Sequence, residues 1–331
     1  MSTTTVRTLA RADADTSVRV RFHGWGPAVT LTAAWLLLIA ATGLYRPDFI
    51  SQQTILAVTF TMAVVGVLAI GQALVAISGG FLDLSQPSSL ILASLVTVWL
   101  AEANLPLPMI VAGAVLTGMV WGAMNAAVIV AGKLNPVIVT LSTNFIGLAV
   151  LFLVFQAAEV PLGSDVHALG SVSIAGLPGI WWPMVLLVLV TAYLLPRTRV
   201  GRHAIAVGGN KLAAQRRGIS LKKTRFAIFT LAGGFIGLAA VLFAATSGPF
   251  NAGSGIPLQL NVIASVILAG ITLKGGRGVL WILLLSVGFF STIPTSLVFF
   301  GLSSDALSIF QGLILMFAVA MDGFRARWTT T

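Results

Sequence analysis

Residues 196–225, PRTRVGRHAIAVGGNKLAAQRRGISLKKTR, hold nine of the chain's nineteen Lys and Arg residues and no Asp or Glu. Apolar runs flank them at 181–195 and 224–246. Such a basic stretch has three readings: a nucleic-acid patch, a solvated connection, or a docking surface for another protein. The surrounding chain narrows them. It has 331 residues, 57% of them apolar and only 8% charged, with 34 glycines and no cysteine. A soluble domain carries about 25% charged residues, whereas a bilayer core roughly 30 Å thick needs about 20 apolar residues per crossing helix. The composition is that of an all-α polytopic membrane protein. Its formal charge of +10 then reads as the basic excess that membrane proteins keep in cytoplasmic loops, and no nucleic-acid partner is expected. Without cysteine there are no disulfides and no thiolate chemistry.

Apolar stretches fall at 28–44, 54–77, 86–101, 107–131, 137–156, 181–195, 224–246, 258–273, 279–300 and 305–321. The expectation is about ten spans in one transmembrane domain, 27–322, between tails at 1–26 and 323–331. Arg7, Arg11, Arg19 and Arg21 before the first run imitate a secretory signal, but with nine spans following, that run is expected to stay as a helix. If the N-terminus is cytoplasmic, the inside segments collect these four, Lys133, the nine cations of 197–225, Lys274, Arg277, Arg325 and Arg327, leaving Arg46 alone outside. The positive-inside rule therefore puts both termini and the loop 197–223 in the cytoplasm. The longest outside loop, 157–180, carries Glu159, Asp165 and His167, and its SVSIAGLPG portion suits a short strand or turn.

The halves 54–156 and 224–322 each contain four spans, with a glycine-rich break after the first: SGGFLDLSQPS at 78–88 and SGPFNAGSGIP at 247–257. Five spans separate equivalent helices, so the second half is expected to be inverted, giving two inverted four-helix repeats plus two extra spans. Inverted repeats with broken helices are a transporter signature.

No span holds paired carboxylates, a His cluster or a Ser/His/Asp set. Asp48, Asp83, Glu102, Glu159, Asp165, Asp305 and Asp322 all fall in or beside loops, which argues against a proton- or sodium-coupled carrier and against an enzyme. There is no GxxxxGK(S/T) phosphate loop, since Gly132-Lys133 is followed by Leu134, so any ATP-driven engine is another polypeptide. Neutral polar residues are more frequent in spans: Gln72, Asn125, Asn144, Gln156, Gln259, Asn261 and Gln311. They suit either a pathway for a neutral polyhydroxylated solute or hydrogen-bonded glue between helices.

Within the basic loop, Gly208-Gly209 break the chain and Asn210 is placed to cap a helix. Residues 211–217 can make two turns, with Arg216 and Arg217 in the last and Gly218 at the left-handed C′ position. So short a helix is marginal in water; it either packs on something or is a solvated loop that sets topology.

At this point GRHAIAVGGNKLAAQRRGI (201–219) resembles the cytoplasmic loop of the monosaccharide-type, ribose permease group of ABC transporter permeases. SGGFLDLS (78–85), GKLNPVIVTLSTN (132–144) and LAGITLKGGRG (268–278) match in order, and the similarity covers about 50–322. It implies a multi-pass permease of a bacterial cytoplasmic membrane, working with a second permease copy or paralogue, two ATP-binding cassette subunits and an extracytoplasmic solute-binding protein. No cofactor would be bound by this chain; Mg-ATP would sit on the partner subunits. The cargo implied is a neutral sugar, with branched-chain amino acids or nucleosides as the alternative and a self-standing secondary transporter or channel as a further class. Carried over, Gly201, Arg202, Gly208, Gly209, Asn210, Ala213, Ala214, Gly218 and Ile219 would couple to the ATPase. The matched motifs and polar positions nominate Gly79, Gly80, Asp83, Ser85, Asn135, Pro136, Thr140, Asn144, Asn261, Gly275 and Gly276 for the pathway or gate. The chain departs from the pattern at GGFLDLS, one residue longer than GGIDLS, and at Gln86-Pro87, Val137, Gln215 and Ile271-Thr272, which bears on the solute.

Overall fold

In hydrocarbon a backbone must satisfy its own polar groups, so apolar runs of this length become helices. The computed structural model describes residues 25–79, 82–154 and 176–302, with isolated positions in 166–174 and 306–316. The helices are α1 (Trp25–Tyr45), α2 (Gln52–Gly79), α3 (Gln86–Glu102), α4 (Leu107–Gly132), α5 (Pro136–Val154), α6 (Trp181–Leu194), α7 (Arg199–Gly209), α8 (Lys211–Arg216), α9 (Leu221–Thr246), α10 (Ile256–Leu268) and α11 (Leu283–Phe299). The segment before α6 contributes a small hairpin, Ser173–Ile174 paired antiparallel with Leu177–Pro178 around Gly176 at φ +79°.

Among the described residues, six stretches are long and apolar enough to cross a membrane: most of α1 (Ala28–Tyr45), α2, α4, most of α5 (Pro136–Leu153), α9, and Leu280–Phe299, which holds α11. A seventh crossing is reached if α6 and α7, bent by 73°, are taken together. Two of the ten expected spans take a different form. The run 258–273 is helical only to Leu268, and its 13 residues rise about 20 Å. Gly270 at φ +78° ends it, the Ile271 N–H closing back onto the Val266 carbonyl in the glycine-terminated manner. The run 86–101 forms α3, which begins inside the bundle: Gln86 Nε2 donates to the Leu68 carbonyl at 3.2 Å, about three turns before the end of α2. The expected span 305–321 falls mostly outside the described residues.

All residues from Met62 to Gly79 are buried. An apolar helix with no polar face belongs at the centre of a bundle, and α6, α7, α9, α10 and α11 all pack on α2. The tightest pair is α4 with α9. Ala114, Gly118 and Gly122 face Phe229, Gly233 and Gly237, each series at a spacing of four, and a Cβ at Gly118 or Gly233 would overlap the other's carbonyl oxygen. Small residues let membrane helices approach backbone to backbone, where association rests on packing.

Gly233→Leu should therefore lower the thermal unfolding temperature of the detergent-solubilised protein, overpacking costing about 1–3 kcal/mol. Leu116→Ala on the exposed side of α4 should leave it nearly unchanged.

Candidate functional site

Between α2 and α3 the chain leaves the helix and runs back alongside α2. Asp83 belongs to this non-helical stretch, as the loop assignment expects, yet it is only 1% exposed because the stretch lies inside the bundle. Its carboxylate accepts hydrogen bonds from the Ser85 N–H at 2.9 Å and the Ser85 hydroxyl at 2.7 Å. Asn125 on α4 donates to the same hydroxyl at 2.8 Å.

The backbone of the break is held by side chains from three helices. Thr140 on α5 accepts from the Leu84 N–H at 3.1 Å, and Asn144, one turn on, accepts from the Ser88 N–H at 3.1 Å. Gln259 on α10 donates to the Asp83 carbonyl at 3.1 Å. The Gln72 amide on α2, oriented as its partners require, donates to the same carbonyl at 3.1 Å and accepts from the Asp83 N–H at 3.2 Å. Non-helical backbone at membrane depth is tolerated where protein supplies such partners. Gln72, Asn125, Asn144 and Gln259, read from sequence as pathway or glue, are thus tied to one another through the break.

The second break, Ser247–Gly255, comes to the same place. Gly255 packs on Pro87, where a Cβ would lie 2.9 Å from the carbonyl oxygen. α3 and α10 each carry proline at the second helical position, Pro87 and Pro257, where a missing N–H costs nothing. Leu82 and Leu84 pack against Ile263 and Ile267 of α10. Of the nominated gate residues, Asp83, Ser85, Thr140 and Asn144 converge here, and Asn261 is buried on α10. Asn135 and Pro136 instead begin α5, Asn135 Oδ1 accepting from the Val137 N–H at 2.9 Å. Gly79 ends α2, and Gly80 lies outside the described residues.

The basic segment contains more helix than its glycines suggest. Thr198 caps α7 by accepting from the Gly201 N–H, and α7 runs through Gly208 to Gly209 before the break. Its buried residues, Gly201, Ala204 and Val207, recur at the helical spacing that would have disclosed it. Gly201 permits α7 to lie against the Leu195 carbonyl. Asn210 then caps α8 through the Ala213 N–H at 3.0 Å. Gly218 at φ +79° closes it, with bonds from Gly218 N–H to the Gln215 carbonyl and from Ile219 N–H to the Ala214 carbonyl; this is the glycine stop expected from the sequence. Within α8 only Ala214 is buried, and Ala213 is exposed. α8 rests on α7.

A joint that sequence reasoning missed lies at the end of α7. The Gly276 N–H, in the loop after α10, donates to the Ile77 carbonyl at 2.8 Å. Gly208 sits against both, leaving no space for a Cβ, and Gly276 at φ +76° abuts Gly209. Gly275, at φ +88°, belongs to the same turn.

A bundle with paired helix breaks and an exposed capped helix suits a membrane transport protein. Residues 54–319 match the family model described as "Branched-chain amino acid transport system / permease component". The chain belongs to this family and is the membrane permease subunit of an ABC importer. Among curated proteins it is 26% identical to the ribose import permease protein RbsC of Haemophilus influenzae over 88% of this chain and 91% of that one. It is 27% identical to the L-arabinose transport system permease protein AraH of Escherichia coli over 90% of each. To the autoinducer 2 import system permease protein LsrC of an Enterobacter strain it is 29% identical, over 88% of this chain and 86% of that one. No solved structure matches it.

Thr140→Val removes the acceptor for a buried N–H and should cost about 1–3 kcal/mol, read as lower thermal stability and faster amide exchange at Leu84. Thr140→Ser, which keeps the hydroxyl, should stay close to the parent in both.

Proposed function

We propose that this chain forms half of the translocation pathway of an importer for a neutral sugar, with α8 as the helix that docks into an ATP-binding cassette subunit. The observation that carries the coupling assignment is α8 itself: capped at both ends, exposed apart from Ala214, and seated on a helix whose end touches α2 and the loop after α10. Asn210, Ala213, Gly218 and Ile219 shape α8, while Gly201, Arg202, Gly208 and Gly209 belong to the helix that carries it. A second permease copy or paralogue completes the pathway, and an extracytoplasmic solute-binding protein delivers the cargo.

The meeting of the two breaks supports a gate at Asp83–Ser88 and Gly255–Gln259. The same pairing, each break following a long helix and preceding a proline-started one, supports the inverted-repeat reading. Loop cations support cytoplasmic termini and a cytoplasmic 197–223 segment. The sugar assignment draws on the likeness to the ribose and L-arabinose permeases. The family's own description favours a second cargo, a branched-chain amino acid.

Gly209 has open space where a side chain would go and Ala213 is exposed, so Gly209→Leu and Ala213→Trp leave this chain's own packing intact. Both should keep expression and thermal stability while lowering uptake by about tenfold or more, the effect of losing roughly 1.4 kcal/mol or more of docking; unchanged uptake would sink the docking assignment. For the cargo, ribose or L-arabinose should raise the melting temperature of the partner solute-binding protein. A rise with leucine alone would select the amino-acid reading.

A further inference from the structure

α6 turns one stripe away from the bundle. Leu186, Leu189 and Tyr193 are 62%, 48% and 60% exposed, whereas Met184 and Val188 on the opposite side are fully buried. In a multi-pass membrane protein, an outward apolar stripe of this kind contacts lipid tails. Four residues beyond Tyr193, on the same line, stands Arg197. Its guanidinium carbon lies 3.7 Å from the centroid of the Tyr193 ring, and its Nη1 donates to the Tyr193 carbonyl at 2.9 Å. Tyr, and Arg with its apolar stem, are residues of the boundary between hydrocarbon and water.

The length of α6 sharpens the placement. Its 14 residues rise about 21 Å against a core of roughly 30 Å, so the segment that follows is drawn into the headgroup layer. There the path bends by 73°, which turns α7 off the line of α6 and suits it, with Arg199 and Arg202 exposed, to lie along the boundary. Gly201, Ala204 and Val207 face the protein, where α7 packs on α2 and α9. Arg199 and Arg202 are exposed, and Arg202 donates to the Arg197 carbonyl, which brings its side chain back toward the end of α6. No acidic residue occurs in 196–225 to compete for these guanidiniums.

We propose that Arg197, Arg199 and Arg202, with Tyr193 as the platform for the first, bind the headgroup of an anionic phospholipid. Guanidinium forks match phosphate oxygens geometrically as well as electrically, and a basic cluster at a membrane surface attracts anionic lipid. An ATPase surface is the less fitting occupant, because Arg197 is tethered to the lipid-facing stripe of α6 and not to α8. The proposal rests on the multi-pass membrane character of the chain and is independent of the cargo.

The test titrates the full-length, delipidated protein with phosphatidylglycerol and with phosphatidylcholine, counting bound lipids by native mass spectrometry. Phosphatidylglycerol should bind about tenfold more tightly or better, as three surface cations imply, and the preference should shrink as salt is raised. The R197Q/R199Q/R202Q variant should lose the preference. If that variant fails to accumulate, Tyr193→Leu, which removes the ring beneath the Arg197 guanidinium, should lower the preference by about threefold, a change of under 1 kcal/mol. Equal binding of the two lipids by the parent protein overturns the proposal. So does a triple variant that keeps the preference, and if that variant also loses its ATPase subunits on purification, the cluster belongs to the ATPase.

Discussion

A polypeptide that abandons the helix inside an apolar bundle exposes N–H and C=O groups with no water to receive them, each costing several kcal/mol if left alone. The stretch from Leu82 to Ser88 is organised by that constraint. Its polar groups are received by Gln72, Thr140, Asn144 and Gln259, so α2, α5 and α10 are held in register by one short break and the first turn of α3. The arrangement accounts for amides at positions where leucine would pack equally well. It also makes Asp83 the end of a chain of hydrogen bonds through Ser85 to Asn125, anchoring its carboxylate on neighbouring residues.

Rigidity elsewhere complements this. The glycine seam between α4 and α9 gives those helices no side-chain layer to slide on, and the enclosed α2 provides a fixed wall against which the break is folded. The two short helices, α3 and α10, are the elements that start within this frame, each from a proline turn. The fold thus separates a tightly packed body from a pair of half-helices whose starting ends meet at Pro87 and Gly255.

What the sequence disclosed follows the range of the interactions. The starts and stops of α8 were readable because Asn210 and Gly218 act within a turn of themselves. The apolar helices were readable from composition, as was the pair of breaks. By contrast, the partnership of Thr140 with Leu84 and of Asn144 with Ser88 spans 56 residues in each case, and no local pattern announces it. Hydropathy carried the α10 run past Gly270 because Ile271 is apolar, while left-handed glycine geometry ended the helix there. In α7, the adjacent Gly208 and Gly209 read as a break, although burial of Gly201, Ala204 and Val207 against the bundle held the helix to its last residue.

The contact of Gly208 with Ile77 and Gly276 is made by main chain alone. Side chains at an interface act as springs, since rotamer changes take up small movements before the backbone must follow. Here there are none to deform. A shift at the end of α7 would be met at once by the carbonyl of Ile77 and the amide of Gly276, with no side chain between them to yield first.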